Sequence, residues 1–223
     1  MILKNNFQIL FLTLVYCNGC TPIKCQNRVI IDHLVMNNIR QEEHERLVKH
    51  LEKESTELVP MLRSKIYPEI IASGNSIVPL LVSSVQDTTV KHYLTLMAIA
   101  KMDPKALLEI PVETRLKIYS DALQKGGPHN DWGLAGEYLS GASLDLLRIG
   151  EKAIPSLIPF LDDTTAAGIW GSEEATVNKL YQNRVCDFAY YLILQIMKRD
   201  EQYFESPEER DVAIDSLKKF LKK

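Results

Sequence analysis

The sequence predicts an all-α fold built from stacked helical hairpins, and three observations predict it. One stretch repeats another: Val78-Pro79 matches Ile154-Pro155, Leu81-Val82 matches Leu157-Ile158, Val85 matches Leu161, and Asp87-Thr88-Thr89 matches Asp163-Thr164-Thr165. Such internal self-similarity marks an architecture in which one supersecondary unit stacks on the next. Apolar residues also recur at i, i+3 and i+4 along most of the chain, the spacing of one helical face. No strand pattern of any length appears.

The first twenty residues read differently from the rest. Lys4 supplies a short basic region, Phe7 to Tyr16 an uncharged and mostly apolar one, and Gly19 before Cys20 the small residue that a signal peptidase requires. The apolar run is about half of the roughly 20 residues a membrane-spanning helix needs, so 1–19 reads as an export signal. The segment Val15-Tyr16-Cys17-Asn18-Gly19-Cys20 resembles the lipobox of bacterial lipoproteins, although Cys17 and Asn18 stand where that family has an aliphatic and a small residue. The resemblance implies cleavage before Cys20 and acylation of Cys20 by a lipid such as palmitate. Thr21 is not the aspartate that retains some of these proteins in the inner membrane, so the outer membrane is implied where the cell has one. A plain secretory signal, and hence a secreted or periplasmic protein, is the alternative. Cys17, Cys20 and Cys25 could also be read as part of a zinc site, but the signal would remove the first and occupy the second. Cys186 lies in an apolar helical pattern and reads as a small buried hydrophobe, not as a disulfide partner of Cys25.

Residues 20–27 are short and polar, a tether, and 28–223 form the helical-repeat domain. Leu58, Leu62, Ile66 and Ile70 recur every four residues on one helical face, with a kink expected at Pro68. In the first copy of the repeat, Ser76 to Gln86 is a helix with Pro79 in its first turn and Asp87-Thr88-Thr89 is a capped connection. Its second helix carries Val90, Tyr93, Leu94, Met97 and Ala98 inward and stops at Asp103-Pro104. Pro111 to Lys125 is a further helix, ended by Gly126-Gly127-Pro128, and 126–133 is a loop and a seam between two halves. Leu134 to Ile149 reads as a weaker helix in which Gly136 and Gly141 permit a close helix crossing. The second copy opens at Glu151 and carries an extra segment, Ala166 to Asn183, with a helix start at Ser172-Glu173-Glu174. Val185, Phe188, Ala189, Leu192, Ile193 and Ile196 then mark the best amphipathic helix of the chain. Ser206-Pro207-Glu208-Glu209 is a capping box that opens a last helix with Ile214, Leu217 and Leu221 inward.

The two copies, Ile/Val-Pro-x-Leu-Ile/Val followed by a capped turn and an amphipathic helix, resemble HEAT repeats over about 75–103 and 151–200. That resemblance implies an α-α superhelix, a HEAT-like solenoid. It also implies a ladder between turn aspartates, here Asp87 and Asp163, and basic residues, here Lys91 and Arg184. Most members of the family are scaffolds and binding surfaces, and a few relatives are enzymes, so the fold alone does not decide function.

The chain of 223 residues is 46% hydrophobic with a formal net charge of −3, enough for a core and without the basic field that nucleic-acid binding calls for. No nucleotide-binding, metalloprotease, calcium-loop or serine-hydrolase motif is present, and no cofactor or metal site is expected. His33, His44, His50 and His92 are too scattered for a metal site. His129 and Asp131 could be read as an acid–base pair, or as a polar turn anchored by Trp132. Arg184 and Asp187 could bind a ligand, or form an i, i+3 ion pair. Tyr190 and Tyr191 read as half-buried packing. Trp132, Trp170 and Tyr181 are the candidate partner-binding residues, and Cys20 the lipidation site. The function these features favour is a non-catalytic, lipid-anchored scaffold binding a protein partner in the cell envelope. The alternative is an enzyme with its site between the 126–133 loop and the 166–183 insertion.

Overall fold

The computed structural model describes residues 22–126, 130–169, 171–199 and 203–222. The expected signal peptide, Cys20, His129 and Trp170 lie outside these residues. Helix accounts for 75% of the structure and strand for 4%, which makes the protein all-α. The chain divides into two units, Met1–Glu42 and Glu43–Lys223. The described part of the first unit is helical throughout, belonging to α1 (Pro22–Thr56), so the 22–27 segment expected as a tether is helix.

Within the second unit, α1 contributes Leu47, Val48 and Leu51 to the core. The four-residue periodicity from Leu58 to Ile70 does not make one helix. Leu58 takes a left-handed φ of 55°, Met61–Arg63 is a short 3-10 turn, and α2 (Tyr67–Ala72) begins afresh with Pro68 in its first turn. The two prolines are the cause: neither Pro60 nor Pro68 can donate a backbone hydrogen bond, and each disfavours helical geometry in the residue before it. The broken segment is held by Glu54, whose carboxylate accepts from the Ser64 hydroxyl and, at 3.1 Å, from the Lys65 amide. Leu62 is left exposed while Ile70 is fully buried.

The first copy of the repeat folds as a helix pair, α3 (Val78–Ser84) and α4 (Tyr93–Met102). All five of the residues expected inward, Val90, Tyr93, Leu94, Met97 and Ala98, are buried. Asp87 Oδ1 accepts from the Thr89 amide at 3.0 Å, and in the second copy Asp163 Oδ1 accepts from the Thr165 amide at 2.9 Å. The matched Asp-Thr-Thr sequences therefore make the same side-chain-closed turn. One free amide at the start of α4, that of Leu94, donates to Ser55 Oγ of α1 at 2.8 Å. Asp103 closes the pair by accepting from the amides of Lys105 and Ala106.

Helix α5 (Val112–Gly126) follows, and its buried face is Arg115, Ile118, Tyr119, Ala122 and Leu123, a run of i, i+3, i+4, i+7 and i+8. The segment expected as a glycine-interrupted helix is a small hairpin and then a helix. Strand β1 (Gly133–Leu134) pairs antiparallel with β2 (Tyr138–Leu139), and α6 (Gly141–Ile149) starts after it. Its glycines serve backbone approach, not helix crossing. Gly136 has a φ of +85° with the Tyr203 ring lying where a Cβ would stand, and Gly141 has a φ of +41° against the Asp131 carbonyl.

In the second copy the first helix is shorter, α7 (Ile154–Leu157), and continues as a 3-10 run, Ile158–Asp162. Pro159 has no amide to reach the Pro155 carbonyl, so the α-helical ladder stops there, whereas α3 carries Ser83 at the matching place. The insertion contains α8 (Ser172–Tyr181), starting at the expected serine. Its base is pinned: Ala166 bridges Arg184, the Val185 amide donates to Thr165 O at 2.9 Å, and the Ala167 amide donates to Asn183 O at 2.9 Å. Helix α9 (Val185–Ile196) is the most buried element, and α10 (Pro207–Leu221) opens at the expected Ser206 N-cap, with the Glu209 amide donating to Ser206 Oγ and the Ser206 hydroxyl donating to Glu209 Oε2.

An aromatic cluster joins three elements. Tyr93 of α4 stacks on Trp132, with centroids 6.1 Å apart and planes 9° apart, and Tyr119 of α5 meets both edge-on. Such contacts contribute about 0.5–1.5 kcal/mol each beyond the area they bury.

Candidate functional site

The side of α5 turned from the core carries Glu113, Leu116, Lys117, Ser120 and Gln124, spaced i, i+3, i+4, i+7 and i+11. Opposite stand Ser156, Pro159, Phe160 and Asp163, from α7 and the 3-10 run after it. Between the two edges lies a groove of about 580 Å³, within the range that binding clefts occupy. Its floor is apolar, formed by Leu116, Pro159 and Phe160. Under the floor Tyr119, Leu123, Trp132, Leu146 and Leu157 close the interior without room for a water molecule. The α5 rim is polar. Among the described residues, no hydrogen bond or ion pair engages the side chains of Glu113, Lys117, Ser120 or Gln124. Opposite them Ser156 Oγ donates to Ala153 O at 2.7 Å, and Asp163 is engaged by its turn. Rim groups without intramolecular partners above an apolar floor are the arrangement by which a cleft both desolvates and orients a ligand.

The sequence-derived candidates are placed elsewhere. Trp132 is only 1% exposed and sits in the aromatic cluster, so it is a core residue and not a partner-binding one. Tyr181 is half-buried at the end of α8, its hydroxyl 3.4 Å from Glu137 Oε1. Asp131 is buried and accepts from the Tyr93 hydroxyl at 2.6 Å, which fits the polar turn anchored by Trp132. Tyr190 is fully buried, deeper than its amphipathic context implies, because α9 is covered on nearly all sides. Cys186 is a buried free thiol, its pKa pushed up to about 11 by burial and then by the charge of Asp187.

Arg184 and Asp187 form the i, i+3 pair, extended into a cluster. Asp187 accepts from the Arg184 amide at 2.8 Å and from its guanidinium at 3.0 Å, and Arg210 Nε lies 3.0 Å from Asp187 Oδ1. Arg184 also reaches Asp211 at 2.8 Å, so its partners are Asp187 and Asp211, not the turn aspartate Asp163. In the first copy Lys91 does pair with the turn aspartate Asp87, at 2.8 Å. A second buried pair, Arg115 with Asp145 at 2.7 Å, receives a further hydrogen bond from the Tyr119 hydroxyl at 2.9 Å.

His92 is the residue that sequence spacing missed. It is fully buried, with Nε2 3.3 Å from Asp87 and Nδ1 3.5 Å from Glu52 of α1. Burial lowers its pKa, against the raising effect of Asp87 and with the help of Lys91. The folded state therefore binds fewer protons than the unfolded state below the ordinary histidine value of 6.5. Stability from this group is present above that value and is lost as pH falls toward the folded pKa. Glu52, raised by burial, acts in the opposite sense but only in the carboxylate range. Between pH 7.5 and 5.5, urea unfolding of the wild type is expected to lose stability, and His92→Gln to lose less. Parallel losses in both proteins would show that His92 is not responsible.

Among the described residues no cluster of three histidine, cysteine or acidic side chains could hold a metal ion, and no helix is long and apolar enough to cross a membrane. Comparison with known proteins returns nothing: no protein-family model, no curated protein and no solved structure matches the chain.

Proposed function

We propose that the chain is a non-catalytic, lipid-anchored module of the cell envelope that holds a protein partner in the groove between α5 and α7. The observation that carries this reading is the groove itself, an apolar floor under an α5 rim whose polar side chains have no partners among the described residues. Asp131 and Asp187, the acidic residues nearest to an enzymatic reading, are spent on Tyr93 and on two arginines in the interior. Helix α5 packs on α4 of the first copy and on α7 of the second, which supports reading the helix pairs as successive units of a HEAT-like solenoid. In that reading the groove is the seam between them. Attachment through Cys20, at the outer membrane where one exists, rests on the lipobox-like segment.

Photo-crosslinking in the cell tests the binding face. A photoreactive residue in place of Gln124 is expected to give a discrete protein adduct, and the same residue in place of Val212, exposed on α10, none. No adduct from position 124, or the same adduct from both, would remove the groove from the function.

A further inference from the structure

We propose that the groove takes an extended peptide segment that carries one basic and one acidic side chain two residues apart, with an apolar residue between them facing the floor. This rests on the reading of the groove as the partner-binding face and names the chemistry of what binds there. Glu113 and Lys117 are exposed and stand four residues apart on α5, which places them about 6 Å apart along the helix axis. Side chains at i and i+2 of an extended chain project to the same side about 6.6–6.8 Å apart. A strand lying along α5 therefore brings a basic side chain to Glu113 and an acidic one to Lys117 without bending.

The intervening side chain points the other way, toward Pro159 and Phe160. The rim from Glu113 to Gln124 is about 16 Å long by helical rise, the reach of about five extended residues. Farther along it, Ser120 and Gln124 each offer both a donor and an acceptor, which is what a peptide backbone presents at every residue. Glu113 and Lys117 could at most satisfy each other, and an exposed helical pair of that spacing contributes little. Binding gives up little by separating them.

The test uses the full chain in detergent and three fluorescein-labelled pentapeptides: Gly-Lys-Leu-Glu-Gly, Gly-Gln-Leu-Gln-Gly and Gly-Lys-Leu-Lys-Gly. Fluorescence anisotropy is expected to rank the Lys-Leu-Glu peptide tightest, with Glu113→Gln and Lys117→Gln each weakening it by about two- to fivefold. Lys117→Glu turns the rim into two acids and is expected to reverse the preference toward Lys-Leu-Lys. These positions are exposed, so the variants keep the fold, and circular dichroism checks that they do. Equal binding of the three peptides, no binding of any, or an unchanged preference in Lys117→Glu overturns the proposal. If the peptides fail while crosslinking at position 124 still captures a protein, the groove keeps its role and only the peptide chemistry falls. If both fail, the binding face falls with it.

Discussion

Replacing Asp187 by alanine is expected to lower the free energy of unfolding by about 3–5 kcal/mol, the usual cost of stripping one partner from a buried ion pair. Arg210 is the reason. Its side chain is fully buried, and Asp187 is the carboxylate against it. Its other contacts are neutral, the Tyr203 ring and the carbonyls Phe204 O at 2.8 Å, Glu205 O at 2.7 Å and Tyr181 O at 2.6 Å. Without Asp187 the guanidinium keeps its hydrogen bonds and loses its counter-charge. Arg184 suffers less, since it retains Asp211 and is partly hydrated. The same substitution frees the Arg184 amide at the start of α9, a capping loss of about 1 kcal/mol within the total. Urea unfolding at pH 7.5 measures the effect as a lowered midpoint at constant slope. Hydrogen exchange is expected to rise first in α10 and at the end of α8, the elements Arg210 joins. A loss below about 1 kcal/mol would mean that Arg210 relaxes to water and that the cluster is not a structural fastener.

The second large effect concerns attachment. Cys20→Ser is expected to move the protein from the membrane fraction to the soluble fraction and to abolish incorporation of labelled palmitate. A diacylglycerol with an additional N-acyl chain supplies more than one hydrocarbon anchor, and each buried methylene contributes about 0.8 kcal/mol, so attachment through an acylated Cys20 would be effectively permanent and its loss complete. The fold is expected to survive, because among the described side chains burial begins at His44 and Leu47, well past the cysteine. Mass spectrometry of the mature N-terminus checks the chemistry directly. An unmodified terminus, or a cut beyond Cys25, would leave a secreted protein in place of an anchored one.

The parts of the fold legible in the sequence are those whose signal is local. The period of α9, the serine-proline opening of α10 and the two Asp-Thr-Thr turns each depend on residues within a dozen positions of one another. The segment from Leu58 to Ile66 misled because a four-residue apolar spacing survives in a chain that two prolines prevent from being helical. The hairpin at 133–139 has strands of two residues each, too short for an alternation to register. Trp132 resembles a surface anchor in a glycine-rich loop, but Tyr93 and Tyr119, from separate helices, pack against it. His92 was hidden in the same way, since its neighbour Glu52 lies forty residues away on α1. The groove left one trace. The α5 stripe Glu113, Leu116, Lys117, Ser120, Gln124 sets an apolar residue among polar ones beside the buried stripe. That pattern identifies an edge, but the opposite wall needs α7 to be placed.

The pinned base of the insertion bears on how such a chain can be altered. Thr165, Ala166 and Ala167 on one side and Asn183, Arg184 and Val185 on the other are stitched by backbone hydrogen bonds, so the two ends meet whatever lies between them. Closing a longer loop over the same gap is inexpensive, about 0.6 kcal/mol for each doubling of length. The segment therefore behaves as a cassette: its contents can be exchanged or lengthened while the register of α7 against α9 is kept by the stitch, which makes residues 173–180 a natural graft site for a tag or a reporter.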